Sequence, residues 1–424
     1  MKKANDYILV LFFLVLCSVP TFWLLRGRPE SNVSMVEGRV LGLPERSYPT
    51  LKIALDYLEQ GNIDQAAKLV WDLYTGGSLQ RKFDGAATDQ FPFRIPLIRY
   101  SKAVDRQIIN LVYSFTDDNV IPADMTSDIY VILEDNALIF PPFLKNDETY
   151  KIIDERVKNY NQIAYTHPEI NFYLFYLETL EYSPYNPLIE HFPKADLGES
   201  YNYFQENISS KIVLENMVLE NLDDHIYNFY RTDHHWNIHG ILKGYEKVYQ
   251  MLSLNYPDIP EMFQVSGLIT FSDIEFLGTL ARRTLYPIEG DEFTGFLGKL
   301  PSCVVSDQEI KGDYDYRDEY HKGQYSTQPF TRHYGLYFGS QSGLLEYDCE
   351  IGLNRNIIII GNSYIRPLVP LIASHYDHTY FLDLRQNETF SLSNFLVDHP
   401  VDDILIAGNA EVFFGDDDLW MMNP

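Results

Sequence analysis

The sequence predicts an α/β domain built on a mostly parallel sheet, and four strand-like stretches carry that prediction. "NIIIIGNSY" (Asn356 to Tyr364) is an unbroken apolar strand that stops at a glycine turn. "INFYLFYL" (Ile170 to Leu177) is a second apolar and aromatic run of strand length. "HTYFLDL" and "VDDILIAGNAEVFF" supply two more strands, with the helix-compatible "RPLVPLIASHY" between the first strand and the third. Strands without polar alternation bury both faces, and strands that alternate with helices form a parallel sheet covered on both sides.

The elements follow in chain order. After Lys2 and Lys3, the uncharged stretch "YILVLFFLVLCSVPTFWLL" (Tyr7 to Leu25) is long enough to cross a bilayer, and Arg26 and Arg28 close it. No small-x-small cleavage pattern follows, so residues 1–28 are expected to form a retained membrane anchor. That places the main domain outside the cytoplasm, at the cell membrane. Residues 29–49 are expected to form a linker. Residues 50–120 are expected to form a helical segment near the membrane, with two short helices around Gly61-Asn62 and a third in "LIRYSKAVDRQIINLVYSF". The main domain is expected over 125–424. Within it, "DIYVILEDNALIF" predicts a hairpin turning near Asp135-Asn136. "VLENMVLENL" and "IHGILKGYEKVYQML" have helical spacing. Residues 257–350, rich in Gly, Tyr and charge, are expected to be long loops and insertions.

Composition excludes some partners. The chain has 424 residues, 46% of them hydrophobic, enough for a large core. It carries 33 Lys and Arg against 60 Asp and Glu, a net charge of −27. Such a surface repels nucleic acid and anionic lipid headgroups. Cys17 lies in the apolar stretch, which leaves Cys303 and Cys349 as an even pair that could form a disulfide in an oxidising compartment.

Chemistry concentrates in two places. Ser363 in "IIIIGNSY" follows a buried strand at a turn into a helix, the sheet edge where open α/β folds bind ligands. A helix N-terminus behind it would favour an oxyanion. Serine also needs a base, and the base an orienting carboxylate. "YRTDHHWNIHG" (Tyr230 to Gly240) offers both, with Asp233 and His235 two residues apart. Bland readings stand beside these: Ser363 as a helix cap, and a histidine-rich corner that only satisfies backbone carbonyls. A metal reading uses His235 and His239, spaced i, i+4 on one helix face, but no carboxylate lies between them as in a zincin. His234 is read as structural support.

Taken together, "RTDHHWN" and the later "GNSY" resemble the DHHW proteins and the SGNH-like alginate O-acetyltransferases. The resemblance runs from about Asp89 to Pro424 and includes "DQFPFR", "YVILEDNALIF", "INFYLFYLE" and "EFLGTLARR". It implies a three-layer SGNH-hydrolase-like domain with a catalytic triad of Asp233 as orienter, His235 as base and Ser363 as nucleophile. Asn362 departs from the usual GDS of SGNH esterases. Candidate oxyanion or substrate contacts are Asn362, Asn409, Trp236, Tyr364 and Arg282, with Trp236 a stacking face for sugar rings. Arg282 and Arg283 are candidates for holding an anionic sugar carboxylate.

The function expected is acetyl transfer onto, or removal from, an extracytoplasmic or cell-wall polysaccharide through an acyl-serine. No cofactor or metal is expected. The resemblance adds a membrane-bound O-acyltransferase as the partner that supplies acetyl groups. The alternative is a catalytically silent scaffold or carbohydrate-binding component of a cell-envelope polysaccharide assembly machine.

Overall fold

A computed structural model describes residues 94–424 apart from 299, 308–310, 313–316, 340–342, 350, 388, 416–419 and 423–424. It also describes Val33–Ser34, Arg39–Val40 and residues 57, 62, 65 and 68. The chain divides into two units, Met1–Ile108 and Ile109–Pro424. In the first, Val33–Ser34 pairs antiparallel with Arg39–Val40, inside the stretch read as a linker. The apolar run Tyr7 to Leu25 lies outside the described residues, as do nearly all of the two helices around Gly61-Asn62. Among the described residues no helix is long and apolar enough to cross a membrane. Helix α1 (Arg94–Tyr113) spans the division.

In the second unit the end of α1 is followed by three short strands, β1 (Val120–Pro122), β2 (Tyr130–Ile132) and β3 (Ala137–Ile139), in an antiparallel sheet. The β2–β3 turn falls where expected, with Asn136 at φ 51°, a left-handed conformation that asparagine tolerates better than most residues. Next come α2 (Thr149–Thr166), β4 (Asn171–Leu177), α3 (Glu199–Asn207) and β5 (Val213–Met217). They are followed by α4 (Ile238–Ser253), β6 (Gly267–Phe276), α5 (Thr279–Thr284) and β7 (Asp291–Leu297). Strands β8 (Val304–Asp307) and β9 (Lys311–Gly312), helix α6 (His333–Phe338) and β10 (Leu344–Asp348) lead to the C-terminal part. That part holds β11 (Asn356–Gly361), α7 (Val369–Ala373), β12 (His378–Leu382), β13 (Asp403–Gly408) and α8 (Ala410–Phe414).

Among the described residues, eight strands form the main sheet in the order β9-β8-β10-β12-β11-β13-β4-β5. The five from β12 to β5 are parallel, and β10, β8 and β9 extend the β12 edge antiparallel. The successive isoleucines of β11 face opposite sides. Ile357 and Ile359 join Tyr173, Phe175 and Leu177 under Ile241, Tyr245 and Val248 of α4. Ile358 and Ile360 join Phe172, Leu174 and Tyr176 against Tyr160 of α2, Phe204 of α3 and Phe413 of α8. A strand buried on both faces can be apolar throughout, which is why the run "IIII" reads so clearly.

Three expectations need correction. "VLENMVLENL" supplies the edge strand β5, because pairing with β4 outweighs the spacing of Val213, Leu214 and Met217. The next helix starts only at Leu222, where Asn221 accepts the Asp224 amide at 2.8 Å. "EVFF", read as part of a strand, is the helix α8. The stretch 257–350 is more ordered than loops: it holds the antiparallel ribbon β6–β7 and β8, β9 and β10, the antiparallel strands at one end of the main sheet. Cys303 and Cys349 are joined by a disulfide that links residues flanking β8 and β10.

Candidate active site

Ser363 follows β11 directly. A side chain at Gly361 would run into the Ala407 carbonyl of β13, so the strand can end this close to its neighbour only with glycine. Asn362 turns the chain: its carbonyl accepts the Ile365 amide at 3.1 Å and its Oδ1 the Tyr364 amide at 3.2 Å. Beyond Ser363 the expected helix is delayed. A single 3₁₀ turn over Arg366–Leu368 precedes the five-residue α7, with Pro367 and Pro370 at their starts. So short a helix offers Ser363 little dipole.

The "TDHHW" loop is held at three points. Thr232 is clamped by Asp291, whose Oδ2 accepts the Thr232 amide at 2.9 Å and stands 2.6 Å from its hydroxyl. Its carbonyl accepts the Leu280 and Ala281 amides of α5, each at 3.1 Å. At the other end, the Trp236 indole is fully buried and lies over Gly244 of α4, where any side chain would collide with the ring. Asn237 then caps α4 by accepting the His239 amide at 2.9 Å.

Between these anchors lies a chain of three side chains. His235 Nδ1 is 2.6 Å from Asp233 Oδ1, and His235 Nε2 is 2.9 Å from Ser363 Oγ. The second oxygen of Asp233 accepts the Thr279 amide at 2.5 Å. Gly278 makes this possible, since a Cβ there would occupy the space of the Asp233 carboxylate. Burial alone would raise the Asp233 pKa. The neighbouring imidazoles of His234 and His235, with the hydrogen bonds from His235 and Thr279, outweigh it and hold the carboxyl far below its usual range. A carboxylate on Nδ1 fixes the proton there and leaves Nε2 to accept from the serine.

Tyr334 of α6 completes the packing. Its ring stacks on His235, its hydroxyl accepts the Trp236 indole N–H at 3.2 Å and donates to the Ser363 carbonyl at 3.3 Å. Burial holds its phenol well above the ordinary value, so the donor stays protonated. The sequence singled out neither Tyr334 nor the Thr279 amide nor Asp291.

Other expected contacts lie elsewhere. Trp236 is sealed in the core and presents no face to a sugar. Asn362 is buried, donating to Asn409 Oδ1 at 2.7 Å, and neither asparagine lines the cleft. Tyr364 is buried and braces the loop by donating to the His234 carbonyl at 3.0 Å. His239 stacks on Tyr227, away from His235's partners. Among the described residues the compact cluster is instead Asp233, His234 and His235, whose candidate ligand atoms lie within 4.8 Å of one another. Both Asp233 oxygens and both His235 nitrogens already have partners there. His234 is pushed well down by burial first and by His235 second, so it is neutral near pH 7. Arg283 points out to Asp128 at 3.2 Å. Arg282 does line the cleft, a cavity of about 390 Å³ that also opens onto Ser363 and His235.

No protein-family model matches the chain, and no curated protein matches its sequence. Solved structures do match its fold. A structure of Bacillus cereus PatB1 with a sulfonyl adduct has a TM-score of 0.54 at 16% identity, covering 70% of this chain and 98% of that one. A second structure of Bacillus cereus PatB1 gives 0.52 at 16%, over 66% and 96%. A DHHW family protein from Eubacterium siraeum gives 0.51 at 16%, over 69% and 94%. At such identity the likeness is one of fold. It is the mixed α/β fold with a large, mostly parallel sheet, and a DHHW protein is among its holders, as the sequence resemblance led us to expect.

Proposed function

We propose that this protein is an acetyltransferase or acetylesterase acting on an extracytoplasmic polysaccharide through an acyl-serine. The observation that carries the reading is the unbroken contact from Asp233 through His235 to Ser363 at the floor of an open cleft. In the first half-reaction, His235 Nε2 takes the Ser363 proton as Oγ attacks the acetyl carbonyl. The carbonyl π electrons move onto oxygen, and the Ser363 backbone N–H is the candidate donor to that oxyanion. As the carbonyl re-forms, the bond to the leaving oxygen breaks and His235 returns the proton to it, leaving acetyl-Ser363. In the second half, a sugar hydroxyl or water gives its proton to His235 and attacks the acetyl-serine. Ser363 leaves with that proton.

Asp233 stays ionised throughout and stabilises the imidazolium. The disulfide supports an oxidising compartment, in keeping with a domain held outside the cytoplasm by the N-terminal apolar stretch. A membrane-bound O-acyltransferase would then deliver acetyl groups to Ser363. Treatment with a fluorophosphonate followed by peptide mass spectrometry tests the reading. Label on Ser363 that disappears in His235→Ala is expected, and an inert Ser363 in folded protein would point to a silent scaffold.

A further inference from the structure

Among the described residues, the cleft is lined by four arginines, Arg282, Arg332, Arg366 and Arg385, and two carboxylates, Asp233 and Asp383. This is an excess of positive charge in a chain whose net charge is −27. The carboxylates are already engaged. Asp233 serves His235 and the Thr279 amide, and Asp383 holds Arg385 through contacts of 3.0 and 2.8 Å. Arg366 is buried with its guanidinium 4.9 Å above the Phe381 ring.

Arg282 differs from these. One of its terminal nitrogens donates to the Thr279 hydroxyl at 3.3 Å, and its buried Nε has no hydrogen-bond partner among the described residues. Burial first, and the charge of Arg332 second, press its pKa down. Two guanidinium groups that repel each other at a partly dry wall are stabilised when an anion comes between them. Arg332 sits at the exposed rim of the same cleft, one residue from the buried Thr331 and two from Tyr334.

We propose that Arg282 and Arg332 form an oxyanion-binding subsite that takes a carboxylate or phosphate of the acyl acceptor beside Ser363, making an anionic glycan the preferred acceptor. Assigning that anion to the acceptor rests on the acyl-transfer reading. The subsite itself can be tested apart from it.

The test is calorimetric binding to the full chain in detergent micelles, with three probes: oligogalacturonate for carboxylate, a glycerol phosphate oligomer for phosphate, and a neutral malto-oligosaccharide. At least one anionic probe should bind tenfold or more tightly than the neutral one, with the advantage shrinking as salt rises. Which anionic probe wins identifies the charged group. Arg282→Gln and Arg332→Gln should each weaken the anionic probe at least tenfold, whereas Arg283→Gln, outside the cleft, should change it less than twofold. Equal binding of neutral and anionic probes overturns the subsite, as does an anionic preference that survives both cleft substitutions. The exposed position of Arg332 keeps the test usable if Arg282→Gln fails to fold. Anion binding by a protein whose Ser363 stays inert to fluorophosphonate supports the subsite and counts against the acyl chemistry alone.

Discussion

Tyr334 lies flat against His235, with ring centroids 4.0 Å apart and planes 19° from parallel. The same phenol joins Trp236 to the Ser363 carbonyl, so one side chain ties the base to the serine's own turn. Removing the ring and removing the hydroxyl should therefore have different effects. Tyr334→Leu frees the imidazole to tilt and should slow acylation of Ser363 by about 10- to 100-fold, as small misplacements of catalytic groups do. Tyr334→Phe keeps the stack but strands the buried indole N–H, so it should cost about 1–3 kcal/mol of stability with the smaller kinetic loss. Stopped-flow acylation and denaturant unfolding of both variants check this. Equal kinetic losses would show that the stack positions nothing.

The second prediction concerns a residue that does no chemistry. Gly278→Ala puts a methyl group where the Asp233 carboxylate sits and pushes it away from His235 and the Thr279 amide. The acylation rate should fall by about 100-fold or more, approaching the loss of about 10⁴ seen when a triad carboxylate no longer fixes its histidine. Circular dichroism should still report a folded chain. A fully active Gly278→Ala would mean Asp233 does not need this seat.

The third concerns pH and stability. His333 and His375 are buried, and each faces a phenol: Tyr320 at 2.9 Å and Tyr245 at 2.7 Å. Burial presses both imidazoles from an ordinary value near 6.5 to about 4. Below pH 6.5 the unfolded chain protonates these two imidazoles and the folded chain does not, so their contribution to stability should fall as pH drops from 6.5 to 4. Each ring contributes at most about 3 kcal/mol over that window. Urea unfolding of wild type and His375→Gln across the window should show the variant losing less stability on acidification, by up to that amount. An unchanged slope in that variant would show that the buried ring takes up its proton without cost.

How much of this was legible in the sequence depends on the range of the interaction. The β11 strand announced itself because a strand covered on both faces needs no polar residue, and Ser363 could be placed by its position just beyond. Asp233 and His235 stood out because two residues of separation lets a carboxylate reach an imidazole within one turn. Trp236 was misjudged for a physical reason: the large ring beside a functional loop is here its anchor in the core. Tyr334 left no signal at all. It comes from the stretch 257–350, where periodicity is weak, and it is one of 32 tyrosines. The Thr279 amide is invisible in principle, because a backbone N–H carries no residue code. Strand β5 was missed because its partner lies about 40 residues away and local spacing favoured a helix.

The most direct test of the central claim is to trap the acyl-enzyme. The full chain is mixed with an activated acetyl ester, quenched in acid within the first turnover and mapped by peptide mass spectrometry. Acetyl should appear on Ser363, fade when an acceptor hydroxyl is supplied, and be absent in Ser363→Ala. Acetyl on a different side chain, or none on Ser363 in protein that turns the ester over, would contradict the account.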